Sequence, residues 1–118
     1  MNKYRDKSDF EINKAVAECK YGIGCTGKTQ GGDVIVFTDS FTAVFDPCNN
    51  PSDAMPIVIE NGISLFAPGL SGMWTAGYVD YETDREYGVD NYEAINKNPY
   101  RAAMEVFLMM KDAENEKV

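Results

Sequence analysis

The sequence predicts an α+β fold: a small antiparallel sheet with two longer helices and one short one, arranged as a two-layer sandwich. Three observations carry this. An amphipathic run follows a helix-start signature near residue 8. Two β-prone runs, 34–37 and 41–45, are separated by only three residues, too few for a parallel crossover. A long apolar helix opens at Asn98-Pro99. At 118 residues the chain is expected to be one domain, 1–118, with a single core.

Taken in order, Ser8-Asp9-Phe10-Glu11 has the form of a capping box, in which serine and glutamate satisfy the free amides of a helix start. Ile12, Ala15, Val16 and Cys19 then recur at helical spacing, with Asn13, Lys14 and Glu18 expected to face away, giving a helix over 9–19. Gly22 to Gly32 reads as a glycine-rich turn region. Val34 to Phe37, β-branched and aromatic, reads as a buried strand, and Phe41 to Phe45 as its hairpin partner through Thr38-Asp39-Ser40. Asp46 to Asp53 is dense in turn and capping residues, so a short helix is expected near 51–60, beginning at Asn50 or Ser52. Pro56 is tolerable there only within or just beyond the first turn, and Asn61-Gly62 ends the helix. Ile63 to Phe66 and Met73 to Tyr78 read as two further strands, linked through Pro68-Gly69 and Ser71-Gly72.

Residues 80–93 hold six carboxylates against the single cation Arg85, with Tyr81, Tyr87 and Tyr92 interspersed, and read as an exposed acidic loop and candidate lid. The final helix is expected near 99–114, with Asn98 as cap and Pro99 in the favoured first-turn place. Ala102 to Met110 is apolar around most of its circumference, leaving Arg101, Glu105 and Asp112 as a narrow polar stripe. Such a helix is either central to the core or shared with another subunit, and a homo-oligomer is expected.

Composition bounds function. Hydrophobic and aromatic fractions of 44% and 12% are those of a folded protein, despite a net charge of −8. Nineteen carboxylates against eleven basic side chains disfavour nucleic acid and anionic membrane surfaces alike. No apolar run approaches the ~20 residues that span a bilayer. The charged stretch Met1 to Phe10 lacks an export signal, so Cys19, Cys25 and Cys48 are expected as reduced thiols in a cytosol. Without histidine these thiols are a poor zinc set; neither metal nor other cofactor is expected.

Gly22-Ile23-Gly24-Cys25-Thr26-Gly27-Lys28-Thr29 matches the pattern of a phosphate-binding P-loop. That mechanism needs a helix opening at the lysine, whereas Gln30-Gly31-Gly32 and a strand follow, so a glycine-rich hairpin turn is the stronger reading. Lys28 stays a candidate for a weaker phosphate contact. The absence of histidine excludes Ser-His and Cys-His nucleophiles, and the chain is expected not to be an enzyme. Asp80, Glu82, Asp84 and Glu86 could offer oxygen ligands but lack the calcium-loop pattern, and solvated acids are the better reading. Trp74 and Tyr92 could stack on a flat ligand or simply be half-buried sheet residues. Arg101 could hold a phosphate or carboxylate in a cleft, helped by the helix amides at Asn98, or form a surface pair with Glu105. Arg101, Trp74, Asn98, Asn50, Tyr92 and Lys28 are therefore the candidate ligand-binding residues.

Three stretches, in this order and spacing, carry a family likeness. They are Ser8 to Glu18, Phe45 to Leu65 (FDPCNNPSDAMPIVIENGISL) and Asn98 to Met110 (NPYRAAMEVFLMM). The chain resembles the NinX family of accessory proteins from lambdoid-type bacteriophages over residues 8 to 110. The resemblance implies a phage protein made in the host bacterial cytoplasm, dispensable for virion structure and without an established activity. Small accessory proteins of this kind often counter host defence, an analogy of context alone. Three functions follow as expectations. The first is a non-enzymatic binder sequestering a small anionic, nucleotide-type defence signal. The second is a protein-binding inhibitor of a host defence factor. The last is a hydrolase working through carboxylates, or a P-loop NTPase.

Overall fold

The computed structural model describes residues 2–80 and 90–116, and its fold is α+β. Helix α1 spans Asp9–Tyr21, two residues beyond the expected end. The capping box forms as predicted: the Glu11 amide donates to Ser8 Oγ at 3.1 Å, and the Ser8 amide to Glu11 Oε1 at 3.4 Å. Ile12, Val16 and Ala17 are buried, but so is Asn13, which was expected to face solvent.

Strands β1 (Thr26–Lys28), β2 (Val34–Phe37) and β3 (Thr42–Val44) form an antiparallel sheet in the order β1-β2-β3. The glycine-rich stretch is therefore not all turn. Part of it is β1, paired Thr26 to Val36 and Lys28 to Val34. The turn proper is closed by the Thr29 amide donating to the Asp33 carbonyl at 2.9 Å, with Gly32 at φ 89° supplying the left-handed step. Lys28 lies on a strand and no helix opens beside it, so the phosphate cradle of a P-loop does not form.

Helix α2 (Pro51–Asn61) is capped by Asn50, whose side chain accepts from the Ser52 amide at 3.0 Å, and ends at Gly62 in the left-handed region. Pro56 sits inside the helix just beyond its first turn, where the carbonyl deprived of a partner belongs to the exposed Ser52.

Strands β4 (Ser64–Phe66), β5 (Trp74–Asp80) and β6 (Asp90–Asn96) make a second antiparallel sheet, in that order. There are thus two three-stranded sheets among the described residues, not one. Residues 90–93, expected within the acidic loop, are the first half of β6, paired from Asp80–Asp90 to Trp74–Asn96. The remainder of the candidate lid, with Tyr81, Glu82, Asp84, Glu86 and Tyr87, lies outside the described residues.

Helix α3 (Pro99–Glu116) is the centre of the molecule. It packs against all three strands of the second sheet and against α1 and α2, while α1 also covers the inner face of the first sheet. Every residue from 101 to 108 is buried. The simple two-layer arrangement is replaced by one in which the last helix is surrounded. Its apolar circumference is covered within one chain and so carries no argument for self-association. Its polar stripe points inward too: Arg101 and Glu105 are buried.

Candidate functional site

The polar groups that the fold gathers lie where α3 meets α1 and the segment before it. Arg101 extends from the first turn of α3 with its side chain only 8% exposed, and every guanidinium nitrogen is engaged. Nε donates to Glu105 Oε2 at 2.6 Å and Nη1 to Asp9 Oδ1 at 2.7 Å. Nη2 donates to the carbonyls of Tyr4 at 3.0 Å, Lys7 at 2.6 Å and Arg5 at 3.4 Å. Burial opposes the charge, but the bonds from Asp9 and Glu105 outweigh it and hold the guanidinium above its ordinary pKa. Glu105, 1% exposed, also accepts from Asn2 Nδ2 at 2.6 Å. The Tyr4 hydroxyl donates to Asp112, and burial followed by that carboxylate raises the phenol's pKa.

The two readings of Arg101 are both revised. Its pair with Glu105 exists, yet it is buried rather than on the surface, and its donors hold the fold rather than face a cleft. A guanidinium with so many partners is a structural rivet for residues 2–7.

The helix starts are likewise self-satisfied. Asn98 Oδ1 accepts from the amides of Tyr100 at 2.9 Å and Arg101 at 3.4 Å, while Nδ2 donates to the Cys48 carbonyl at 2.5 Å and to Asn49 Oδ1 at 3.3 Å. These amides are the donors an anion would need, and a side chain of the same protein holds two of them. Asn50 performs the equivalent task for α2. Between them, Asn13 donates to Asp46 at 2.7 Å and accepts from the Cys48 amide at 3.0 Å. Sequence reasoning missed Asn13, and its one signal was a polar residue directly beside Ile12 on the helix. Burial raises the Cys48 thiol's pKa, with Asp9 next among the causes, so this cysteine is an inert core group.

The other candidates stand apart. Trp74 is half-buried opposite Asn96, and Tyr92 lies opposite Tyr78, their rings 6.4 Å apart and inclined by 26°. Trp74 and Tyr92 share a sheet face but sit four register positions apart, roughly 13 Å along the strands. Lys28 is on the other sheet, exposed, with Nζ 5.0 Å from the centre of the Phe10 ring. Arg101 and Asn98 are therefore neighbours, with Asn50 beside them in sequence to Asn49. The hollows that Tyr92 lines include neither Arg101 nor Asn98.

Both sheets leave an outer face open: on the first, Phe37 and Val44 are 49% and 52% exposed, and the second carries the larger apolar pair. Phe66, Thr75 and Ile95 lie side by side across β4, β5 and β6, and the next row is Ser64, Gly77 and Glu93. Phe66 is 58% and Ile95 53% exposed, with Val79 at 39% further along the same face. The edge of the Phe66 ring lies over Gly77, 3.8 Å from where a Cβ would stand, an ordinary van der Waals distance. Beside β6 run two hollows. One, about 490 Å³, lies between Asn91, Tyr92 and Glu93 of the strand and Asn2, Lys3 and Asp112 opposite. The second, about 290 Å³, continues past Glu93 and Ile95 toward Arg5 and Met73. Lys3 in the first is paired with Asp112 at 3.1 Å.

Among the described residues no group of three or more cysteine, aspartate or glutamate side chains could hold a metal ion, and no helix is long and apolar enough to cross a membrane. The family described as Bacteriophage P22, NinX matches residues 3–111. No curated protein matches the chain.

Proposed function

The chain belongs to the bacteriophage P22 NinX family and is a phage accessory protein, and from that premise we propose that it acts without catalysis, by binding a protein of the host. The observation that supports this reading is the open row Phe66–Thr75–Ile95, two large apolar side chains held on a rigid sheet with Glu93 in the next row. Apolar groups rimmed by charge are the common form of a protein-binding patch. The rival reading, capture of a small nucleotide-type anion, is the weaker. Its intended anchor, Arg101, has each nitrogen engaged by Asp9, Glu105 and main-chain carbonyls. A host defence factor as the protein bound is the family-level analogy carried to this site.

The test uses a photo-cross-linking amino acid in place of Phe66, with irradiation during infection. The expected result is a discrete protein adduct that disappears when Ile95→Asp is added, while that variant keeps the parent's thermal transition. A stoichiometric nucleotide released from the purified protein, with no adduct, would instead establish the small-anion reading.

A further inference from the structure

We infer that residues 2–7 are a strap that undocks from α3 as one unit while the remaining chain stays folded, so that the two hollows beside β6 have a removable wall. The segment belongs to no helix or strand. Its two main-chain hydrogen bonds, from the Arg5 amide to the Asn2 carbonyl at 3.5 Å and from the Lys7 amide to the Tyr4 carbonyl at 3.1 Å, are internal. Among the described residues, no main-chain group of 2–7 bonds to a main-chain group elsewhere. Every polar tie to the body passes through a side chain. Nη2 of Arg101 holds three carbonyls, Asn2 reaches Glu105, and Tyr4 and Lys3 both meet Asp112. Lys7 adds an exposed pair with Glu11 at 3.8 Å. Only Tyr4 of the segment is buried, so one side chain carries the apolar part of the docking.

Undocking leaves no buried charge unpaired. Arg101 keeps Asp9 through Nη1 at 2.7 Å and Glu105 through Nε at 2.6 Å, and both carboxylates sit on helices that stay. The groups released, three carbonyls, the Asn2 amide and the Tyr4 hydroxyl, all regain water, so each bond lost costs only its small net value. Removing Arg101 itself is different, because it deprives two carboxylates of their partner where they stand. The hinge lies between Lys7 and Ser8, since the Ser8 amide and hydroxyl are held to Glu11 by the capping box. A segment with one apolar anchor and no ladder belongs to the part of a protein that opens below the global unfolding free energy. Asn2 lines both hollows, with Lys3 beside it in the first and Arg5 in the second, and β6 stands opposite from Asn91 to Ile95. Undocking therefore takes one wall from each, and brings half-buried Met109 of the first and Met73 of the second to solvent.

Undocking is read out on the full chain by trypsin, which cuts after Arg5 and Lys7 when the strap is out, and by hydrogen peroxide, which oxidises exposed methionine. Val36→Ala, a core change in the first sheet, should lower the urea midpoint and leave that cleavage unchanged, because undocking does not involve this sheet. Tyr4→Ala should speed the cleavage about a hundredfold. It should also speed oxidation of Met109 and Met73, one in each hollow, while Met55 on α2, in neither, keeps its rate. Cleavage that rises with Val36→Ala as the midpoint falls would overturn the inference, since the segment would then open only with the whole fold. Cleavage unmoved by Tyr4→Ala, or a response shared equally by Met109, Met73 and Met55, would overturn it too.

Discussion

Arg101 shows how a side chain's role can be half legible. Its i,i+4 spacing to Glu105 is visible in the sequence, but its burial is not, since that depends on carbonyls of Tyr4, Arg5 and Lys7 more than 90 positions away. The consequence for mutation is large. Arg101→Met removes the partner of a 1%-exposed carboxylate and of Asp9, and frees residues 4–7. Breaking a buried pair from one side costs about 3–5 kcal/mol, against a few tenths for the surface pair first expected. Urea unfolding of the variant should show a loss in that range. Adding Glu105→Leu should recover part of it, because the stranded charge is then gone as well. A loss under about 1 kcal/mol would mean that the guanidinium is not the rivet described.

Helix starts were readable because their signals are local. Ser8, Asn50 and Asn98 each bond to amides two or three residues on, and each helix begins where its cap predicts. Strands made by their neighbours were not readable. Thr26-Gly27-Lys28 has little β-propensity, and β2 imposes its pairing, with Gly27 leaving room for the Phe37 ring 3.0 Å from where a Cβ would be. The start of β6 is polar and acidic, and only its register with β5 makes it a strand. Two predictions belong here. Gly62→Ala places a Cβ at φ 64° after α2 and should cost about 1 kcal/mol, measured by thermal melting. The capping box also makes α1 pH-sensitive: the Ser8 amide and hydroxyl lower the Glu11 pKa below its ordinary 4.5. A depressed carboxyl pKa contributes stability that is present above pH 4.5 and lost as pH falls through the folded-state value. Ser8→Ala should flatten this acid limb of the stability curve, and an unchanged limb would show that Glu11 is not coupled to the cap.

At the scale of the whole molecule, what decides association is where α3 and the charge lie. An apolar helix read from sequence alone fits a core or an interface equally well, because the covering elements are not in its pattern. Here the second sheet, α1 and α2 cover it, and residues 101–108 are buried in a single chain. The candidate site was not legible in the sequence: the surface on which the proposed function rests, Phe66 beside Thr75 and Ile95, arises from a register no local motif announces. With the helix satisfied, self-association would have to use an exposed face, this one or that of the first sheet, where Phe37 and Val44 are 49% and 52% exposed. Either brings a charge of −8 on each copy into proximity. Such repulsion acts over a Debye length of about 10 Å at 0.1 M salt and grows as salt is removed. Light scattering at micromolar protein should therefore give the mass of one chain, 13.1 kDa, at low ionic strength. A dimer that persists at low salt would restore the homo-oligomer first expected and show that an apolar face outweighs the charge. In that event Phe66→Asp should return it to a monomer, since Phe66 is the most exposed member of the row.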